Sequence, residues 1–294
     1  MSKLLCLGAG YSARTVIEQL IAEGWSITGT TRSTDGADRL RAMGVTPLLF
    51  DGTSASEDLR AAVREARNIL VSIAPDADAS PDACDPVLRE LQHEVTQAPN
   101  LRWIGYLSTV GVYGDYDGAW VDEETNCRPV SRRSIARVAA EQAWLDTADA
   151  ASAWRLHIYR LSGIYGPSRN PIARLKAGTS RRIIKAGQVF NRIHVADIAQ
   201  AIRAGLDGRG QHRVYNVTDD EPTAPQTVIS YAAMIKGLPV PPDLPFETAD
   251  LTPMARSFYG ENKRVRNRRL RDDLGVELIF PNYRVGLQAI AQAE

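Results

Sequence analysis

The sequence predicts an α/β protein built on a doubly wound parallel sheet, with a small, partly irregular C-terminal region capping it. Three observations carry that expectation. Short apolar runs alternate with amphipathic helical stretches through the first half of the chain. A glycine-rich turn joins the first run to the first helix. The alternation then breaks after Gly166-Pro167, where turn residues and the proline cluster LPVPPDLPF (238–246) take over.

The elements follow in order. KLLCLG (3–8) reads as a strand and YSARTVIEQLIAEG as a helix with Val16, Leu20 and Ile21 on one face. WSITGTT (25–31), TPLLFD (46–51), NILVSIAP (68–75) and LRWIGYLST (101–109) read as further strands, separated by helical DRLRAMG, EDLRAAVREA and 84–97. Right-handed crossovers would cover both faces of such a sheet with helices. Residues 110–132, rich in Gly, Tyr and Asp, read as a long loop of the kind that carries function. A helix then begins with SRRSIARVAAEQAW (131–144), and WRLHIYRLSG (154–163) is a sixth strand. ADIAQAIRAGL (196–206) is a helix, and HRVYNVTDD (212–220) a strand with a loop. The basic run in NKRVRNRRLRDDLG (262–275) reads as a solvated flank of a helix closed by Gly275, with room for one or two of its residues to face a cleft. The expected division is 1–166 plus about 190–220 as the sheet domain, with 167–189 and 221–294 as the cap.

Composition narrows the class. Across 294 residues, Lys+Arg and Asp+Glu both number 35, which argues against nucleic acid or an anionic membrane as the main partner. Cys6, Cys84 and Cys127 share no metal-like spacing, so no metal is expected and a reducing, cytoplasmic setting fits. The N-terminal apolar run is too short for a signal peptide, and no segment nears the ~20 apolar residues of a membrane helix.

LGAGYSA sets Gly8, Gly10 and Ala13 in a G-x-G-x-x-A pattern, with Tyr11 and Ser12 opening the helix. Glycines let backbone approach a pyrophosphate, and free N–H groups with a helix dipole hold its charge. This predicts a dinucleotide. An NAD site usually places an acid at the end of the second strand. Here the segment is Thr30-Thr31-Arg32-Ser33, with no acid before Asp35. A guanidinium beside hydroxyls suits a phosphate, so NADP is favoured over NAD. The plainer alternative is a surface arginine.

YLSTVGVYG (106–114) resembles the S-[ST]-x-x-V-Y-G motif of extended short-chain dehydrogenases/reductases, the NAD-dependent epimerase/dehydratase family. LSGIYGP (161–167), NRIHVADIAQAI (191–202) and VYNVTDDEP (214–222) resemble that family's later motifs, in its order. The resemblance implies a Rossmann core and a substrate-binding C-terminal region. It implies that Asp51 and Gly52 lie near the adenine, that Ser72, Ile73 and Ala74 run along the cofactor, and that Ser108 and Leu161 contact it. Thr109 takes the place of the catalytic Ser/Thr, its alternative being a strand-end hydroxyl bonded to local backbone. Dimers through 84–97 and 134–148 are implied as well.

The family's next helix carries Tyr-x-x-x-Lys with an acid four residues on. Aligned on Glu141, Arg137 stands at the lysine and Arg133 at the tyrosine, so this helix carries no Tyr-x-x-x-Lys. The chain thus resembles an atypical branch that includes bacterial nucleoside-diphosphate-sugar epimerase-like proteins. Arginine stays protonated and offers only donors, so Arg133 cannot replace a tyrosine as proton relay. Arg137 could still hold ribose hydroxyls. Helical periodicity places Ile135, Val138, Ala139 and Leu145 on an apolar stripe and Arg133, Arg137, Glu141 and Trp144 opposite. Small Ala136, Ala140 and Ala143 flank the arginines. Two readings follow, a solvated arginine row or contact with a cofactor or anionic substrate. Tyr113, Tyr116, Glu123, Glu124 and His194 are candidates to move a proton, and Arg169 and Arg192 to clamp a substrate phosphate. The functional expectation is an NADP-dependent oxidoreductase or epimerase acting on a nucleotide-sugar-like or other anionic substrate. Its rival is a non-catalytic dinucleotide-binding sensor.

Overall fold

The computed structural model describes residues 2–151 and 153–293; residues 1, 152 and 294 lie outside the described set. In chain order the strands are β1 (Lys3–Leu7), β2 (Ser26–Thr31), β3 (Thr46–Leu49), β4 (Asn68–Val71), β5 (Trp103–Thr109), β6 (Trp120–Val121), β7 (Arg155–Leu161), β8 (Gly163–Tyr165), β9 (Arg182–Ile184), β10 (Arg192–His194), β11 (Val214–Val217), β12 (Asp243–Pro245) and β13 (Arg264–Val265). The helices are α1 (Tyr11–Ala22), α2 (Thr34–Ala42), α3 (Glu57–Arg64), α4 (Pro86–Gln97), α5 (Arg132–Ala151), α6 (Pro171–Lys176), α7 (Val195–Leu206), α8 (Pro225–Lys236), α9 (Pro253–Tyr259), α10 (Arg268–Asp272) and α11 (Tyr283–Ala293).

The central sheet has seven parallel strands in the order β11-β7-β5-β4-β1-β2-β3. Its strands are apolar on both faces because helices cover both. On one side Val16, Ile17 and Leu20 of α1 pack with Ile198 and Ile202 of α7. On the other, Leu59 and Val63 of α3 pack with Leu91 and Val95 of α4 and Trp144 of α5. The strand order reverses between β1 and β4, and in such sheets ligands bind beyond the carboxyl ends of strands at that point.

Caps explain where helices begin. The Ser33 hydroxyl accepts from the Gly36 N–H, so α2 starts four residues before the periodic stretch at Asp38. Asp85 accepts from the N–H groups of Val87 and Leu88 and starts α4. The expected loop 110–132 is partly ordered by pairing. It opens with a 3-10 turn over Val110–Tyr113, and β6 within it pairs with β13 from the far end of the chain.

Beyond β7, the α6, α8 and α11 helices build a separate small core around Ile172, Val228, Tyr283 and Leu287. Leu270, Leu274 and Val276, by contrast, pack into the main core beside α7. Asp197, fully buried in α7, ties the C-terminal segment down. Its carboxylate accepts from the Ile279 N–H (2.7 Å), the Phe280 N–H (3.1 Å) and the Gln200 amide (2.8 Å). Asp197→Ala should orphan those donors and cost about 3 kcal/mol, a drop of roughly 5–10 °C in melting temperature. Calorimetry on the variant checks it.

Candidate functional site

At the β1–α1 turn, Gly8 has φ +95°, and a Cβ there would lie 2.9 Å from the Ile73 side chain. Only glycine fits. Gly10 caps α1 with no side chain bonding the first-turn amides, and a Cβ on it would meet nothing within 4 Å. The first-turn N–H groups of α1 thus face open space free of any acidic side chain in that turn, as a bound pyrophosphate requires. The Thr30 hydroxyl accepts from the Gly8 N–H at 2.8 Å and holds the turn against β2. Arg32, the residue after β2, is exposed, and no hydrogen bond or ion pair engages its side chain among the described residues. Ser33 caps α2, and the Thr31 side chain packs against Gly36. Asp51 is exposed. Hydrogen bonds from the Thr53 hydroxyl and N–H hold its carboxyl below its usual range. Gly52, at φ +96°, accepts from Arg89 through its carbonyl. Ser72, Ile73 and Ala74 follow β4 as a partly exposed strip, where the Ser72 N–H bonds the Leu7 carbonyl at 2.8 Å. Residues of this shape and donor set fit a dinucleotide.

The rotation of α5 departs from the apolar-stripe expectation. Ile135 is 47% exposed, whereas Ala136, Ala140, Glu141, Trp144 and Ala148 are buried. A buried ion pair explains this. Glu141 takes a bidentate fork from Arg160 in β7, with Nη2 at 2.7 Å and Nε at 3.1 Å from Oε2. The Ser108 hydroxyl also donates to Glu141. Arg160 donates to the Tyr113 hydroxyl (3.0 Å), which donates to Asn216 Oδ1 (2.8 Å). Trp144 packs on Tyr106 and donates to Asp85 at 3.1 Å. Small Ala136 and Ala140 let the helix lie close to the sheet. Glu141 is inward because its charge is met there, and this sets the half-buried Arg137 and the exposed Arg133 along a cleft.

That cleft has a volume of about 840 Å³ and lies between the β5 and β7 ends, the α5 N-terminus and the segments after β7. Ser108, Thr109 and Leu161 line it, but Ser108 is committed to Glu141 and the Thr109 hydroxyl accepts from the Gly111 N–H at 3.1 Å. Arg137 is anchored at its edge, donating to the Tyr106 hydroxyl and the Leu107 carbonyl, both at 2.9 Å. Arg133, Arg137, Arg169, Arg174, Arg181 and Arg192 all line it. None forms an ion pair among the described residues, although arginines elsewhere do so readily, as in Arg60–Glu94 (2.9 Å) and Arg284–Glu221 (2.5 Å). Lys263 also lines it and is buried. It bonds the Gly114 carbonyl at 2.6 Å and pairs with Glu261 at 2.7 Å, the one carboxylate among the described lining residues.

Several expected residues lie elsewhere. Tyr113 is fully buried with its hydroxyl satisfied on both sides, and burial pushes its pKa up, so it neither meets substrate nor moves protons. His194 is 5% exposed and caps α7, its Nδ1 accepting from the Ala196 N–H at 3.2 Å, with its ring between Tyr165 and Phe280. Burial lowers its pKa to about 4, so it stays neutral and structural. The Tyr116 hydroxyl donates to the Asn126 carbonyl, Glu123 accepts from the Asn216 N–H, and Glu124 pairs with Arg269; none lines the cleft. Arg169 and Arg192 do line it. Arg169 lies over the Tyr11 ring at 5.6 Å, while Arg192 donates to the Phe190 and Thr223 carbonyls.

The buried Glu141–Arg160 pair was missed, although an arginine inside the apolar strand 154–163 signals a buried charge needing a partner. Lys263 is the residue of the basic segment that faces the cleft. Nothing local distinguishes it, or Arg174 and Arg181, from surface cations. No helix among the described residues is long and apolar enough to cross a membrane, and no described group of His, Cys, Asp and Glu could hold a metal.

Comparison with known proteins adds the following. The family model described as NAD dependent epimerase/dehydratase family matches residues 87–218. A functionally unknown conserved protein from Silicibacter pomeroyi DSS is 50% identical, with 100% of this chain and 99% of that one covered and a TM-score of 0.88. Protein YeeZ from Escherichia coli K12 is 27% identical over 291 residues, 96% of this chain and 97% of that protein. UDP-glucuronic acid 4-epimerase from Bacillus cereus, solved with UDP-glucuronic acid and NAD, is 17% identical with a TM-score of 0.76, covering 99% of this chain and 98% of that one. At that identity the likeness is one of fold.

Two outcomes check this geometry. Arg160→Met strands Glu141 in the core and should cost about 3–5 kcal/mol, whereas replacing both partners by apolar residues should cost less. Urea unfolding of the single and double variants decides it. His157 and His194 both have folded pKa values lowered to about 4 against an ordinary 6.5. Their unfolded forms bind protons first, so the stability they contribute is full above pH 6.5 and lost as pH falls toward 4. Each loses about 3 kcal/mol across that window. Denaturation at pH 7.5 and 4.5 should show the loss, and His194→Asn, which keeps a capping oxygen, should shrink it.

Proposed function

The chain belongs to the NAD-dependent epimerase/dehydratase family, and from that membership and the cleft's charge we propose that it binds NADP and acts on a nucleotide-sugar-like or other anionic substrate. The observation that carries this is the wall of six cleft arginines, none of them held in an ion pair among the described residues. Keeping that many like charges together is unfavourable unless a ligand of opposite charge completes them.

In this reading the first-turn amides of α1, after Gly8 and Gly10, hold the cofactor pyrophosphate, with Tyr11, Ser12 and Ala13 beside it. Arg32 and Thr31 take a 2′-phosphate, and Asp51 with Gly52 borders the adenine. Ser72, Ile73, Ala74 and Leu161 line the nicotinamide half. The bound nicotinamide would exchange a hydride with substrate. The chain's own task is to position substrate and move a proton. Arg133 and Arg137 cannot accept one. The cleft tyrosines Tyr165, Tyr259 and Tyr283 are held protonated by burial. Glu261 is the remaining acceptor, with Lys263 steadying its charge. Thr109 donates to the substrate oxygen.

A second reading, a dinucleotide-binding sensor without turnover, is favoured by the arginines that stand where the resemblance puts Tyr and Lys. Purified protein mixed with NADPH and a panel of nucleotide sugars and carbonyl compounds separates the two. Oxidation faster than ~0.1 s⁻¹, slow beside ordinary turnover, supports the enzyme and overturns the sensor. For the cofactor, NADP⁺ should raise the melting temperature by several degrees, NAD⁺ less. Arg32→Ala should remove the difference, and Gly10→Asp should abolish both shifts. Equal shifts in the parent protein would overturn the NADP preference.

A further inference from the structure

We propose that the substrate is a nucleoside-diphosphate sugar acid, whose carboxylate is clasped by Arg133 and Arg137 at the β5 end of the cleft; this rests on the nucleotide-sugar reading above. Arg137 is fixed by its two Nη1 bonds to Tyr106 and Leu107, which put its guanidinium at the carboxyl end of β5 beside Ser108 and Thr109. Its Nε and Nη2 donors have no partner among the described residues. Arg133, one helical turn away, forms no hydrogen bond or ion pair among them, and its guanidinium lies over the Phe258 ring at 5.7 Å. Residues four apart on a helix are neighbours, and like charges there repel.

Among the described residues no carboxylate pairs with either arginine; Asp85, within electrostatic reach of Arg137, is bonded to Trp144 and the α4 amides. Glu141, four residues beyond Arg137, is consumed by Arg160 and Ser108, and Glu261 is paired with Lys263 rather than with either arginine. Two planar forks with free donors match a carboxylate, which accepts two parallel N–H bonds. Arg169 and Arg192 belong to a different wall, carried by segments after β7, and Arg169 sits against Tyr11 at the cofactor turn. A ligand meeting both walls carries negative charge at two separated places. A diphosphate supplies one and a sugar carboxylate the other. A neutral sugar would leave the α5 guanidiniums facing each other uncompensated.

The test is calorimetric titration of the NADPH-saturated protein with UDP-glucose and with UDP-glucuronic acid. The acid should bind about tenfold or more tightly. Arg133→Met should erase that preference while leaving UDP-glucose affinity within about twofold, and Arg133→Lys, which keeps charge without the fork, should restore part of it. Equal affinities in the parent protein, or a preference untouched by Arg133→Met, overturn the clasp and leave the nucleotide-sugar reading standing. Binding of neither overturns that reading and the clasp with it.

Discussion

The Glu141–Arg160 ion pair is the contact on which the cleft depends. It is buried between α5 and β7, and it fixes the rotation of a twenty-residue helix whose apolar residues are spread too evenly to fix it themselves. Were Glu141 solvated, Arg133 and Arg137 would follow it outward and the β5 end of the cleft would lose its charge. Such a pair is no strong source of net stability, since desolvation offsets most of the attraction. Its effect is orientation. The fork geometry and the Ser108 bond accept one placement of the carboxylate, and Tyr113 and Asn216 extend the same network to β11.

Charge is sorted along this network with a clear division. Acidic side chains near the cleft are withdrawn into the protein and satisfied there: Glu141 by Arg160, Asp85 by Trp144 and the α4 amides, Asp197 by the C-terminal backbone. The arginines on the cleft surface keep free donors. A chain whose formal charge is balanced overall therefore presents a strongly cationic cavity. A second open cleft of about 970 Å³, at the amino ends of the strands around Arg67, Arg102 and Trp154, holds none of the motif residues.

Local features were legible in the sequence. Gly8 and Gly10 announce their turn because their constraint is local: one needs positive φ, the other open space. The strands and helices of the sheet are equally plain, since apolar periodicity is a local record of burial. The rotation of α5 was not legible, because periodicity counts Glu141 as outward and cannot see that Arg160 waits for it inside. Reading Arg160, set inside the apolar stretch 154–163, together with Glu141 would have corrected it. His194 and Tyr113 misled for a related reason. Titratable side chains in motif-like segments suggest chemistry, but both are spent on capping and on the buried network. Arg174, Arg181 and Lys263 come together only through the path of the chain after β7, which no local pattern encodes.

The central claim is that α5 presents its arginines to a ligand. Arginine-selective modification with phenylglyoxal, read by peptide mass spectrometry, tests it most directly. Arg133 and Arg137 should react more slowly once NADPH and UDP-glucuronic acid are added, while neighbouring Arg132, exposed and paired with Asp78, should react at an unchanged rate. Equal rates at Arg133 and Arg137 with and without ligand would contradict the account.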